Sequence, residues 1–316
     1  MSRADDIRSS LPAMRREVRS AVRALNGGCS WSALVASLQR VARTDLCLAR
    51  LVEGHADALR ILVQAGVAAQ PGVYGVWASR SAGTGLRARR TDEAWVLDGE
   101  LRFASGVDVI DRVLVPGWVD DDTHVLLDVP ADAFEADRDS WHTAAMDASR
   151  SFTVHADAVR VTGGPVGPEN FYLARPGFAV GGIGPAAVWV GGVQLVVDLV
   201  AGSLRRFRPT PHQLRRLGTM RQVAWESAEL LARVADDLDD ELADAAEVGL
   251  VRTTAAVAAE RVVDEAGRVV GPGGLTGDPR IARALADLLV YARQLPLDQV
   301  LEDLGRSALE DAEDRR

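Results

Sequence analysis

The 316-residue chain contains no lysine, and all 36 of its basic side chains are arginines. Schiff-base chemistry and a phosphate-loop lysine are both excluded. Cysteine is almost absent: Cys29 and Cys47 are the whole complement, too few for a disulfide framework and not a Cys-x-x-Cys pair, so both read as small apolar side chains. The five histidines show no His-x-x-x-His or His-carboxylate spacing, and no metal centre is expected. No Gly-x-Ser-x-Gly elbow occurs, which leaves serine-hydrolase chemistry without support. The net charge of −9 has the wrong sign for a nucleic-acid binder, whose affinity needs a dense positive surface. No apolar run is counted that reaches the roughly 18 residues of a membrane span, and the start of the chain, Met-Ser-Arg-Ala-Asp-Asp, has no signal-peptide character. The expectation is a cytoplasmic protein with neither membrane nor nucleic-acid partners.

What the chain does have is 47% hydrophobic residues, enough for one large core or two to three small domains. Apolar positions three and four apart (Leu34, Leu38, Val41; then Leu46, Leu48, Leu51) predict helices over residues 11–66, broken at Asn26-Gly27-Gly28 and restarted by a cap at Ser30 or Ser32. A third helix is expected from Thr44-Asp45 to Gly66. Glu53 and His55 stand two apart on it, so they point to different faces and do not act together.

At Pro71-Gly72 the period changes from about 3.6 to 2. Strands are expected at 73–77, 86–89, 95–97, 113–118, 124–127 and 152–155, with Asp98-Gly99 as a hairpin turn and the whole as a compact barrel or sandwich. After Thr162–Pro168 the helical period returns at 185–207, 211–239, 243–262 and 279–293, with a short helix at 298–308 and a charged, frayed tail. Gly181-Gly182-Ile183-Gly184 follows no strand, so it reads as close helix packing and not as a dinucleotide loop. Asp236–Glu241 reads as a solvated helix end.

One stretch is chemically specific: Leu97-Asp-Gly-Glu-Leu-Arg-Phe-Ala-Ser-Gly106, with a ring at Phe103 and a hydroxyl at Ser105. It resembles the acyl-CoA dehydrogenase superfamily, where a Leu-Asn-Gly-x-Lys-x-Trp-Ile-Thr-Asn-like segment sets an aromatic ring and a hydroxyl against the flavin. A flat apolar ring shields the isoalloxazine, and a hydroxyl donor stabilises charge on it. Upstream, Trp77-Ala-Ser79-Arg-Ser-Ala-Gly83-Thr84 is similar to the family's Thr-Glu-Pro-x-x-Gly-Ser, matching best at Gly83 and Thr84. Met146–Ser151 resembles a family strand beginning, and Gly271-Pro272-Gly273-Gly274-Leu275 its glycine pair near a neighbouring subunit's cofactor. Trp77 is assigned either to flavin contact or to core packing. Arg205 is assigned either to gripping phosphate or to a solvated helix end.

The resemblance implies an α+β multidomain protein: an N-terminal helical domain over 1–70, a central β-barrel over 71–164 and a C-terminal helical bundle over 165–316. It implies FAD as cofactor, held by Phe103, Ser105, Gly83, Thr84, Trp77, Ser79, Arg205, Gly273 and Gly274. It also implies a small acyl substrate and a homodimer or homotetramer, with Val188–Leu199 supplying the interface. One departure bears on chemistry. Dehydrogenation of an acyl thioester needs a carboxylate base, and neither place where the family carries one, near Leu295 or at Arg175-Pro-Gly-Phe178, offers it. The first expectation is a flavin-dependent oxidoreductase acting on an acyl thioester or related metabolite. A flavin monooxygenase of the same fold, which needs no such base, and a non-catalytic scaffold subunit are the alternatives.

Overall fold

The structure is a computed structural model that describes residues 3–23, 25 and 27–314. Asn26 of the expected helix break and the last two tail residues lie outside them. The chain groups into two compact units that do not follow sequence order: 1–29 with 50–181, and 30–49 with 182–316.

In the first unit, α1 (Arg3–Arg8) and α2 (Leu11–Val22) precede the part of α4 (Leu46–Gln64) from Arg50 onward. Ser10 caps α2, accepting from the Ala13 amide, which satisfies one of the orphan donors of the first turn. Seven strands follow: β1 (Tyr74–Val76), β2 (Gly85–Arg90), β3 (Trp95–Ala104), β4 (Arg112–Trp118), β5 (His124–Pro130), β6 (Glu135–Asp137) and β7 (Phe152–Val161). They form one sheet in the order β1-β4-β2-β3-β7-β6, with β5 also on β4. Strand β4 pairs with β1 through Arg112–Leu114 and with β2 through Gly117–Trp118, while β5 runs along its other edge. One strand thus serves two partners on a single edge, on either side of Pro116, and the sheet curls there.

Asp98-Gly99 is not a hairpin turn. Both residues lie inside β3, whose pairing with β7 slips between Leu97 and Gly99. Ala158 of β7 takes a positive φ of 49° there, and its amide donates to Asp98 Oδ1 at 2.8 Å. A β-bulge accommodates the extra residue, and Gly99, at φ 131°, passes so close to β2 that a Cβ would stand 2.5 Å from the Gly85 carbonyl oxygen. The glycine serves close strand approach rather than a turn. The turn between β2 and β3 is Thr91–Ala94, closed by the Thr91 amide and hydroxyl donating to the Ala94 carbonyl, both at 2.8 Å. The unit ends in α5 (Phe171–Ala174) and α6 (Gly177–Val180).

The second unit holds α3 (Trp31–Ala42), the first turn of α4, α7 (Ile183–Leu204), α8 (Pro211–Asp239), α9 (Ala245–Gly277), α10 (Pro279–Ala292) and α11 (Leu297–Asp314). Ser30 is the α3 cap. Thr210 with Gln213, and Asp244 with Glu247, form capping boxes at α8 and α9. Helix α9 runs past the expected stop at Val262. It kinks at Gly271 (φ 60°), and Pro272 restarts it, a proline at a first-turn position where no amide is needed.

Gly177–Leu204 is, against the sequence count, long and apolar enough to cross a membrane; 61% of its most apolar window is buried inside the protein. Interleaved glycines disguise the run. Residues Ala186–Val190 and Val193 are fully buried, so most of the Val188–Leu199 run expected at an oligomer interface is core instead.

Candidate functional site

A bulge places the specific stretch. β3 and β7 pair as Leu101↔Val154 and then Ala104↔Phe152, so β3 carries one extra residue. Phe103 absorbs it at φ 60°, and its ring is turned outward, 49% exposed, as bulges commonly re-aim a side chain. The edge of the ring meets Trp141 in a T-shaped contact at 6.3 Å, and the Arg102 guanidinium lies 5.4 Å from its centroid.

Two residues on, Ser105 is buried (9% exposed). Its carbonyl accepts from Trp77 Nε1 at 2.8 Å, so Trp77 is a buried support beneath this segment and not an exposed ring. The Ser105 hydroxyl is 2.8 Å from that of Ser151, which is 2.7 Å from that of Ser149. Ser149 donates to the Met146 carbonyl at 2.6 Å. Each hydroxyl has a single proton, and that of Ser105 has two acceptors, Ser151 Oγ at 2.8 Å and the Phe103 carbonyl at 3.5 Å, the shorter being the better bond. Ser149 spends its proton on Met146, Ser151 must donate to Ser149, and Ser105 must donate to Ser151. In that arrangement Ser105 keeps its lone pairs free to accept.

The β1–β2 loop carries the other matched positions. Ser79 Oγ accepts from the Ser81 amide at 3.3 Å, Thr84 Oγ1 donates to the Ser81 carbonyl at 2.8 Å, and Gly83 (φ 79°) has nothing within 4 Å of where a Cβ would stand. The loop after β3 is pinned at Asp108: Arg138 donates to Oδ1 at 2.7 Å, and Arg150, also on Asp108, donates from Nε to the Val107 carbonyl at 3.0 Å. These guanidinium bonds, Arg138's first, hold the Asp108 carboxyl below the usual carboxylate range.

Arg205, Gly273 and Gly274 belong to the second unit. Arg205 is an exposed residue capping the end of α7. Gly273 and Gly274 lie in the helical turn after the α9 kink, not in an extended loop. Gly274 is packed on Val270, whose Cβ would be 2.5 Å from an added methyl, while Gly273 borders open space.

Two constellations on α4 lie outside the matched segments, the first of them a histidine expected to be either buried and satisfied or exposed. His55 is buried, and its Nδ1 accepts from the Tyr74 amide at 3.0 Å, so the neutral ring carries its proton on Nε2; burial pulls its pKa down to about 4. On another face of α4, Arg50, Glu53, Asp57, Arg60 and Gln64 recur at spacings of three and four, one polar stripe. Arg50 pairs with Glu53 at 2.6 Å. Arg175 donates to Gln64 Oε1 at 3.0 Å and to Asp57 Oδ1 at 3.4 Å. The segment Arg175–Phe178 has no carboxylate of its own, yet Asp57 of α4 stands against it. The 3/4 spacing was the available signal; the pairing with a residue 118 positions away was not.

Residues 165–293 match the family model described as the acyl-CoA dehydrogenase C-terminal domain. Among solved structures, this chain is similar to TdsC, a dibenzothiophene monooxygenase from Paenibacillus sp. A11-2 solved with FMN and indole. Identity is 15% over 95% of this chain and 90% of that one, at a TM-score of 0.79. It is similar also to methanesulfinate monooxygenase MsuC from Pseudomonas fluorescens (16% identity, 98% and 97% covered, TM-score 0.77). XiaF from Streptomyces sp., in complex with FADH2 and glycerol, follows at 18% identity, 90% and 82% covered and a TM-score of 0.72. No curated protein matches the sequence. The class is therefore a helical protein with a curled sheet, of the acyl-CoA dehydrogenase fold. Residues 165–293 thus resemble that family's C-terminal domain, and the fold of the chain is that of its solved neighbours.

Proposed function

We propose that this protein is a flavin-dependent monooxygenase of the acyl-CoA dehydrogenase fold. The observation that carries the reading is the pairing of an outward-turned Phe103 with a Ser105 hydroxyl whose proton is already committed. The fold neighbours named above, monooxygenases in two cases and flavin-bound in two, support it. The residues present suit a flavin: Phe103 offers a ring face, Gly83 leaves room for close backbone approach, and Ser105 offers an acceptor. An acceptor at that place matches the extra ring N–H of the reduced cofactor better than the bare nitrogen of the oxidised one. When bound, reduced flavin supplies the electrons that let one atom of dioxygen enter a substrate while the other leaves as water.

The chain's own residues bind and orient. Trp77 and the serine chain hold the Ser105 backbone and hydroxyl rigid, and Asp108 with Arg138 and Arg150 fixes the loop behind them. We take the flavin to be FAD, held by the matched residues of the first unit, with Arg205, Gly273 and Gly274 of the second unit offered to a neighbouring subunit's cofactor. The protein is read as a cytoplasmic homo-oligomer whose three parts follow the helix, barrel, helix order of the family. Anaerobic titration with oxidised and reduced FAD and FMN, followed by oxygen uptake with reduced flavin supplied, tests the reading. Flavin-dependent oxygen uptake is expected. Bleaching of bound flavin by acyl-CoA would restore the dehydrogenase reading, and absence of any flavin binding would leave the scaffold.

A further inference from the structure

The clearest unused chemistry in the molecule is the polar stripe of α4 where it meets α5 and α6, all within the first unit. Asp57 is the centre. Its Oδ1 accepts from Arg175 Nη2 at 3.4 Å. Among the described residues Oδ2 takes no hydrogen bond, and the side chain keeps 26% of its surface open. Around it stand Arg50, Glu53 and Arg60 of its own helix, and Tyr172 and Arg175 of the facing segment. Despite three guanidinium groups nearby, burial outweighs them and raises the Asp57 carboxyl above its ordinary range.

The surroundings suit a flat ligand. Tyr172 and Phe178 meet edge to face at 5.4 Å, Phe178 is 42% exposed, and the buried Arg175 guanidinium lies 5.6 Å from one ring and 5.9 Å from the other. Backbone approach is close: an added Cβ at Gly181 would be 3.7 Å from Asp57 Oδ1, and at Gly177 it would strike the Gln64 amide. Arg175 is thereby fixed by Gln64 on one side and by the carboxylate on the other.

We propose that Asp57 is the proton acceptor of a small-molecule subsite in this unit, taking an O–H or N–H of an aromatic ligand on its free oxygen Oδ2 beside Tyr172 and Phe178. Arg175 is the positioning residue that holds the other oxygen. In the transfer the ligand's O–H or N–H bond breaks, its electron pair stays on the ligand heteroatom, and an O–H bond forms on Asp57. The proton returns to ligand or water on release. The inference stands on the geometry of α4 and α5–α6 and does not depend on flavin binding.

The test uses phenol and anisole, which share a ring and differ in the donor, titrated calorimetrically into the full chain without added flavin. Phenol should bind at least about tenfold tighter than anisole, one buried charge-assisted hydrogen bond's worth, and the preference should shrink as pH falls and the carboxyl protonates. In Asp57→Asn, Arg175 fixes the amide oxygen on its side, so an NH2 donor faces the ligand. Phenol preference should then vanish, and its pH dependence with it. Asp57→Glu, which keeps the carboxylate, should retain part of both, guarding against a variant that merely misfolds. Binding of neither probe to the parent, or the parent's preference persisting in Asp57→Asn, overturns the proposal.

Discussion

Acid should weaken this fold through His55. The ring is buried, its Nδ1 is committed as an acceptor from the Tyr74 amide, and its pKa falls from 6.5 to about 4 because burial penalises the charged form. Between those values the unfolded chain binds a proton that the folded one does not, so stability must drop as pH falls. The neutral ring's full contribution is present above pH 6.5 and is lost progressively down to about pH 4. At 1.36 kcal/mol per pKa unit the ceiling is about 3.4 kcal/mol, and between pH 8 and pH 5 the loss is about 2 kcal/mol. His124, buried beside Trp118 with its pKa also lowered by burial, acts in the same direction, and Asp57, raised by burial, acts in the opposite one. A difference between two proteins removes both. In His55→Asn the amide oxygen can accept the same Tyr74 N–H but cannot titrate. Urea unfolding of parent and variant at pH 8 and pH 5 should show the variant losing about 2 kcal/mol less. Equal losses in the two proteins would refute the reasoning.

Other perturbations follow from the same geometry. Ser151→Ala breaks both of its bonds in the hydroxyl chain and should cost about 1–2 kcal/mol in chemical unfolding. Because it also frees the Ser105 proton, it should shift flavin preference toward the oxidised state, as read by fluorescence titration. Gly99→Ala puts a methyl 2.5 Å from the Gly85 oxygen at a φ of 131°, and a loss of more than about 2 kcal/mol is expected by thermal melting. Thr210→Ala removes the α8 capping box and should cost about 1 kcal/mol in the same assay.

Helix boundaries were largely legible because capping chemistry is local. Pro211–Asp239 is found as expected, and Ser30 caps where a serine was sought. The strands were legible as alternation, but their pairing was not, because Asp98-Gly99 carries turn chemistry and yet lies inside β3, paired in regular register with β2 and bulged against β7. Phe103 was visible as a ring beside a hydroxyl; its positive φ and exposure depend on the register of a strand about 50 residues away. The direction of the Ser105 proton was invisible, since it is set by Ser149's bond to Met146. Charge patterning along α4 held the Asp57 stripe in plain view, but its meaning required Arg175.

The central claim is that the face built from Phe103 and Ser105 holds a flavin, the reduced form in preference. The most direct measurement is anaerobic titration of oxidised and reduced FAD and FMN into the parent and Phe103→Ala, alongside their thermal midpoints. Because the ring is 49% exposed, the variant should melt within a few degrees of the parent. One flavin should bind the parent saturably, about tenfold tighter when reduced, and the variant about threefold to tenfold more weakly, the worth of one aromatic stacking contact. No saturable binding in either redox state, or a Phe103→Ala protein that binds flavin as tightly as its parent, would contradict the account.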